Sequence, residues 1–206
     1  MAKTKSSRRW LDRHVNDPYV KRTQQDGYRS RAAYKLLEIQ EKDPVLKPGM
    51  RVLDLGAAPG SWSQIASRLV GARGQVIALD ILAMDPLADV CFIEGDFRED
   101  EVLDQLRDAL GGEPLDLVLS DMAPNITGTT VVDQTRAMYL IELALDLARE
   151  QLKLGGAMVV KAFHGAGFDD YVRDLRTSFK QVATRKPKSS RPESREVFLV
   201  ARGFHH

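Results

Sequence analysis

The chain of 206 residues holds a single cysteine, Cys91, which excludes an intramolecular disulfide and argues against a cysteine-built metal site. No stretch approaches the roughly 20 apolar residues that span a bilayer, so no membrane partner is expected. The opening residues, Met-Ala-Lys-Thr-Lys-Ser-Ser-Arg-Arg-Trp, are basic and lack the apolar centre of a secretory signal. These lacks point to a cytoplasmic protein. Internal repeats and long low-complexity tracts are missing as well, and no oligomerisation segment stands out, so one monomeric domain is expected. Cys91 lies in the apolar run Val90–Ile93 and reads as a small buried hydrophobe.

Charge is present in both signs but is segregated. Residues 1–35 carry ten Lys/Arg against three Asp/Glu (+7), residues 36–179 thirteen against twenty-four (−11), and residues 180–195 six against one (+5). Basic flanks around an acidic centre suit either plain solubility or a core with polyanion-binding arms. The run Lys186-Pro-Lys-Ser-Ser-Arg-Pro-Glu-Ser-Arg195 mixes cations with hydroxyls just before a strand, which favours phosphate contact.

Apolar runs alternate with helical patterns along the acidic centre. Ser30 suits the N-cap of a helix over 31–42. Strands are expected at 51–56, 75–80, 90–94, 115–121 and 157–163, with helices near 61–70, 99–110, 133–153 and 168–179. Such alternation implies an α/β fold, a mostly parallel sheet with helices on both faces. The last two strands, near 182–185 and 196–201, have only a loop between them, so a hairpin leaving one antiparallel edge strand is expected.

In open α/β sheets ligands bind beyond the carboxyl ends of the strands. The first strand ends in Asp54-Leu-Gly56-Ala-Ala-Pro-Gly60-Ser-Trp62, whose small residues permit close approach to the backbone. It lacks the G-x-G-x-x-G of dinucleotide folds, because Ala58 and Ser61 replace the second and third glycines. Asp80 ends the second strand, where a carboxylate can accept from ribose hydroxyls; the alternative is a turn cap. Asp96 follows the third strand and can receive the adenine amine, with Phe97 lining the ring. Three such signals in succession indicate an adenosine-containing cofactor.

The fourth strand ends in Ser120-Asp121-Met122-Ala123-Pro124-Asn125, without the aromatic residue that clamps a base in amino-group methyltransferases. In the fifth, Lys161 interrupts an apolar run, and a buried ammonium is costly unless it is paired. Lys35 and Glu196, taken alone, read as surface residues.

Together these stretches resemble the FtsJ/RrmJ family of ribose 2′-O-methyltransferases, most closely its bacterial members acting on large-subunit ribosomal RNA. The likeness also takes in Ser30-Arg31-Ala-Ala-Tyr-Lys35-Leu, Gly95-Asp96-Phe97-Arg98, Arg136-Ala-Met-Tyr139 and Ser194-Arg195-Glu196-Val197, covering nearly the whole chain in order. It implies a Rossmann-like class I methyltransferase domain over 31–206 behind a basic arm over 1–30. It implies the cofactor S-adenosyl-L-methionine (product S-adenosyl-L-homocysteine), held by Gly60, Trp62, Asp80, Asp96 and Asp121. It also implies a catalytic set of Lys35, Asp121, Lys161 and Glu196, and a uridine of ribosomal RNA as substrate during late assembly of the large subunit. Tyr19, Tyr28 and Tyr34, among the basic residues of the arm, are candidates to stack on bases, with Tyr34 better read as a packed helix residue. Three other readings remain open at this level: a base-nitrogen methyltransferase, a nicotinamide-dependent oxidoreductase, and a non-catalytic RNA-binding assembly factor.

Overall fold

A computed structural model describes residues 17–124 and 127–205. The first half of the basic arm and Asn125 therefore lie outside the described residues. The arm's described part opens with helix α1 (Pro18–Asp26), bounded by three local signals. Asp17 caps it by accepting from the Tyr19 amide at 3.0 Å, Pro18 sits at the first helical position, and Gly27 ends it at φ 71°. Helix α2 (Ala32–Lys42) follows, with Ser30 Oγ accepting from the Ala32 amide at 3.2 Å one position ahead of the assigned cap.

Seven strands then form one sheet: β1 (Arg51–Leu55), β2 (Gln75–Asp80), β3 (Val90–Glu94), β4 (Leu115–Ser120), β5 (Leu152–Phe163), β6 (Phe179–Arg185) and β7 (Glu196–Phe204). Their spatial order is β3-β2-β1-β4-β5-β7-β6. The first five pair in parallel, while β7 runs against both β5 and β6. The expected hairpin is present; its second strand inserts beside β5 and leaves β6 at the edge.

Helices α3 (Ser61–Val70), α4 (Asp100–Leu110), α5 (Thr130–Gln151) and α6 (Phe168–Ser178) are the remaining α-helices among the described residues. Strands β1, β2 and β4 are buried along almost their whole length, as strands covered on both faces must be. The pleat divides their residues. Leu53, Leu55, Ile77, Met158 and Leu199 join α4, α5 and α6 in one core, whereas Val52, Val76, Leu119, Val159 and Phe198 join α2 and α3 in the other.

Two local readings are corrected. Cys91 is exposed, because β3 is the sheet edge and only Ile93 of that strand is buried. Strand β5 begins at Leu152 rather than near Ala157; Leu152 pairs with Leu115, and the register then shifts where Gly155 takes φ 81°.

Asp43, which ends α2, ties the hairpin to this layer. Its carboxylate accepts from Arg185 Nε at 2.5 Å and Nη2 at 2.9 Å, with Arg202 Nη2 at 3.2 Å. The Arg185 guanidinium holds this carboxyl below the usual range despite the opposing effect of burial. A depressed acid stabilises at neutral pH and loses that contribution as pH falls through its folded-state value. Asp43→Ala removes the carboxylate that faces two guanidiniums and should destabilise the fold by about 1–3 kcal/mol at pH 7. Urea unfolding should show the gap to wild type narrowing in acid; a gap independent of pH would contradict this role.

Candidate active site

The parallel strands converge on one cavity of about 510 Å³ at their carboxyl ends. Gly56 and Ala58 line it after β1, Asp80 after β2, Asp96 and Phe97 after β3, and Asp121 after β4, facing Arg136 and Tyr139 of α5. The turn after β1 needs its glycines. Gly56 has φ 72°, and a Cβ there would stand 2.5 Å from Met122 Cγ. Gly60 has φ 103° and lies beneath Met84 and Leu87 of the loop 81–89.

Each acidic side chain is held from its own strand end. Asp80 accepts from the Ala58 amide at 2.8 Å and the Leu82 amide at 2.9 Å, one bond to each oxygen. A carboxylate oxygen has a second acceptor site, so Asp80 fixes both loops and keeps acceptor capacity. The Asp96 carboxylate is spanned by Arg98, whose Nε lies 2.9 Å from both oxygens, and this pairing draws the carboxyl down from its ordinary value. Arg98 and Tyr139 of α5 both line the cavity.

Two of the residues expected to hold the cofactor, Gly60 and Trp62, stand at the start of α3. The Trp62 ring lies inside the α2–α3 core, 5.6 Å from Phe198, and its Nε1 donates to Ala32 O at 2.8 Å. Gly60 and Trp62 are not among the cavity-lining residues; the Gly60 amide donates to Ala57 O at 2.6 Å, and Trp62 lies in the first turn of α3, where main-chain N–H groups lack helical acceptors. Tyr19 and Tyr28 turn their rings onto Tyr34, with centroids 5.3 and 5.7 Å away, so their packing is intramolecular.

The four residues of the expected catalytic set form two ion pairs. Lys161 Nζ donates to Asp121 O at 2.5 Å and stands 3.0 Å from Asp121 Oδ1, at an angle that leaves that buried oxygen without a hydrogen bond. Lys35 Nζ stands 2.8 Å from Glu196 Oε1 and 5.5 Å from the centre of the Phe198 ring. The register explains why the pairs meet. Lys161 sits opposite Phe198, and Phe163 opposite Glu196, so side chains two apart share the face covered by α2. Asp121 follows β4 directly, next to Lys161, and also lines the cavity.

Supporting residues not singled out in the sequence complete this corner. Glu38 accepts from the Lys188 and Ser189 amides at 2.5 and 2.9 Å, and Arg31 donates to Ser189 O, fixing the basic loop 186–195 on α2. Burial alone would raise the Glu196 carboxyl, but Lys35, the nearby Ser190 hydroxyl and Lys161 outweigh it and hold it low.

The donor set suits an adenosine cofactor bearing positive charge. The cavity brings three carboxylates, a buried Asp121 oxygen with open acceptor capacity and the Phe97 ring to one cleft. A family model for FtsJ-like methyltransferases matches residues 28–204. The chain belongs to the FtsJ-like methyltransferase family. This FtsJ-like methyltransferase is 60% identical over 204 residues to the ribosomal RNA large subunit methyltransferases E of Marinobacter nauticus and Pseudomonas aeruginosa, with 99% of each chain covered. The crystal structure of a ribosomal RNA methyltransferase from Plasmodium falciparum superposes with a TM-score of 0.77 at 32% identity, over 86% of this chain and 98% of that one. Family membership excludes the oxidoreductase reading.

A further carboxyl lies behind the cavity. Asp54 is wholly buried on β1, accepts from Ser63 Oγ at 2.6 Å, and leaves Oδ1 without a partner. Burial, opposed by Ser63 and reinforced by Asp121 and Asp80, pushes its carboxyl up to about 7. The unfolded chain gives up this proton near the ordinary value of about 4, so the native state binds more protons between pH 4 and 7 and is destabilised as pH rises. Asp54→Asn removes the titration. Its stability relative to wild type should improve by about 2 kcal/mol between pH 5 and pH 8 in urea unfolding. A difference that stays constant across that window would show that Asp54 does not titrate there.

Proposed function

We propose that this FtsJ-like methyltransferase methylates a ribose 2′-hydroxyl, that of a uridine in the RNA of the large ribosomal subunit during late assembly. The observation that carries the reading is the double ion pair, Lys161–Asp121 and Lys35–Glu196, set beside a cavity of adenosine chemistry. The large-subunit methyltransferases that are 60% identical to this chain support the large-subunit substrate.

S-adenosyl-L-methionine supplies, when bound, a methyl group on a sulfonium centre and leaves as S-adenosyl-L-homocysteine. In this reading Asp80 accepts from the ribose hydroxyls of the cofactor, Asp96 from the adenine amine, and Asp121 faces its cationic end. Gly60 and Trp62 contribute through the main chain at the start of α3. Once its own proton has passed to solvent, the Lys161 amine receives the proton of the substrate hydroxyl, which is a poor nucleophile while it keeps that proton. Asp121 then stabilises the ammonium formed at Lys161 Nζ. Lys35 and Glu196 orient the ribose against that amine, since alignment of the attacking oxygen is worth several orders of magnitude in rate.

RNA is held by the basic arm 1–30 and the loop 186–195. Lys188 lies in the segment that Glu38 and Arg31 fix, and Arg191 and Arg195 follow it towards Glu196, so phosphate contacts made there would bring the sugar to the lysines.

The deciding experiment is methyl transfer from labelled S-adenosyl-L-methionine to large subunits isolated from cells lacking the enzyme, followed by mapping of the product atom. A 2′-O-methylated uridine is the expected product. A methyl group on a base nitrogen would overturn the reading of the lysines. Tight cofactor binding without any product would favour the non-catalytic assembly factor.

A further inference from the structure

Arg29 belongs to the basic arm, where its charge alone would mark it as one more phosphate contact. Its guanidinium is already committed within the protein. Nη1 donates to Pro59 O at 2.9 Å and Asp85 O at 2.7 Å, and Nη2 donates to Pro86 O at 2.8 Å. Both hydrogens of Nη1 and one of Nη2 are thereby used.

The acceptors belong to two different walls of the cofactor cavity. Pro59 is in the turn after β1, next to the lining residue Ala58. Asp85 and Pro86 are in the loop 81–89, whose first residues, Ile81 and Leu82, line the cavity. That loop has little apolar burial of its own, with Ile81 63% and Leu82 62% exposed. Met84 and Leu87 come down over Gly60, and the same approach is shared by Arg29 Nη1. The base of the Arg29 side chain is fixed in turn by α3: its amide donates to Gln64 Oε1 at 3.4 Å, and Gln64 Nε2 donates to Gly27 O at 2.8 Å.

We infer that Arg29 is a positioning residue that staples the loop 81–89 to the Ala58–Gly60 turn and so holds the two walls of the cofactor cavity together. The role in cofactor binding rests on the functional reading above. Ser30, Arg31 and Lys35 follow directly in the chain, so the staple also joins the cofactor wall to the helix that carries the substrate side. A planar fork spans carbonyls on two segments in a fixed geometry, whereas a lysine presents a compact point charge on a flexible stem.

The test uses the full-length protein with Arg29→Ala and Arg29→Lys variants, S-adenosyl-L-homocysteine as the calorimetric probe, and hydrogen exchange of the ligand-free chain. Arg29→Ala should weaken binding about tenfold and Arg29→Lys should recover part of that loss. Amides of residues 81–89 should exchange faster in Arg29→Ala, while those of β1, β2 and α3 keep wild-type rates, which separates a local staple from a general loss of stability. Unchanged exchange in the loop, or wild-type affinity in Arg29→Ala, would overturn the inference. So would a loss of RNA affinity with a shallower salt dependence and an unaltered loop, because Arg29 would then be a phosphate contact. If the wild-type protein bound no S-adenosyl-L-homocysteine, the cofactor reading would fall, and the exchange rates would still judge the staple.

Discussion

The arrangement of this site depends on neutralising one amine inside a sheet. Lys161 lies in a strand whose neighbours are apolar, with 7% of its surface exposed. An uncompensated charge there costs several kcal/mol, so a partner has to be supplied by the adjacent strand. Asp121 does this from the end of β4, through both its main-chain and side-chain oxygens. Because β4 and β5 are parallel neighbours, the carboxyl end of one reaches the amine of the other. The antiparallel β7 then brings Glu196 onto the same face of the sheet, and α2 covers that face with Lys35. Asp121 consequently belongs to two environments, the lysine pair and the cofactor cavity. Under the proposed function, that sharing would join a methyl donor's site to a proton acceptor.

The same corner concentrates negative charge. Asp54, Asp80 and Asp121 stand close enough for the latter two to push the first upward, and only Ser63 offsets this directly at Asp54. The cluster suits a cofactor with a sulfonium and an amine, since positive charge entering the cleft relieves the repulsion among the carboxylates. Burial shifts the Asp54 carboxyl towards its protonated form, which lessens the negative charge behind the cavity. Loops around the cavity are held by polar links more than by apolar packing: Asp80 grips Ala58 and Leu82, Arg98 grips Asp96, and Arg29 spans two segments.

Much of this was legible in the sequence wherever local chemistry decides structure. The parallel strands are short apolar runs closed by Gly, Pro or Asp, so β2 and β3 fall on the residues expected for them. Helix α1 carried complete signals at Asp17-Pro18 and Asp26-Gly27, but the charge of the arm drew the reading towards nucleic-acid contact instead. Cys91 was misplaced because an apolar run does not reveal which strand will stand at the edge. For Trp62, position in a motif says nothing about where the ring turns, and the interior between α2 and α3 takes it. Asp54 could have been flagged by the argument applied to Lys161, a charged residue interrupting a buried run. Arg29 could not, because its partners are three backbone carbonyls brought near by tertiary structure.

The central claim is that the Lys161 amine takes part in the reaction rather than merely filling a strand. The direct measurement is the single-turnover rate of methyl transfer by Lys161→Ala on large ribosomal subunits, at saturating cofactor and with cofactor affinity measured in parallel. The account predicts a rate lowered by about 100-fold or more, with affinity for S-adenosyl-L-homocysteine within a few-fold of wild type. A near-normal rate at unchanged affinity would remove Lys161 from the chemistry and leave the ion pair with Asp121 as architecture alone.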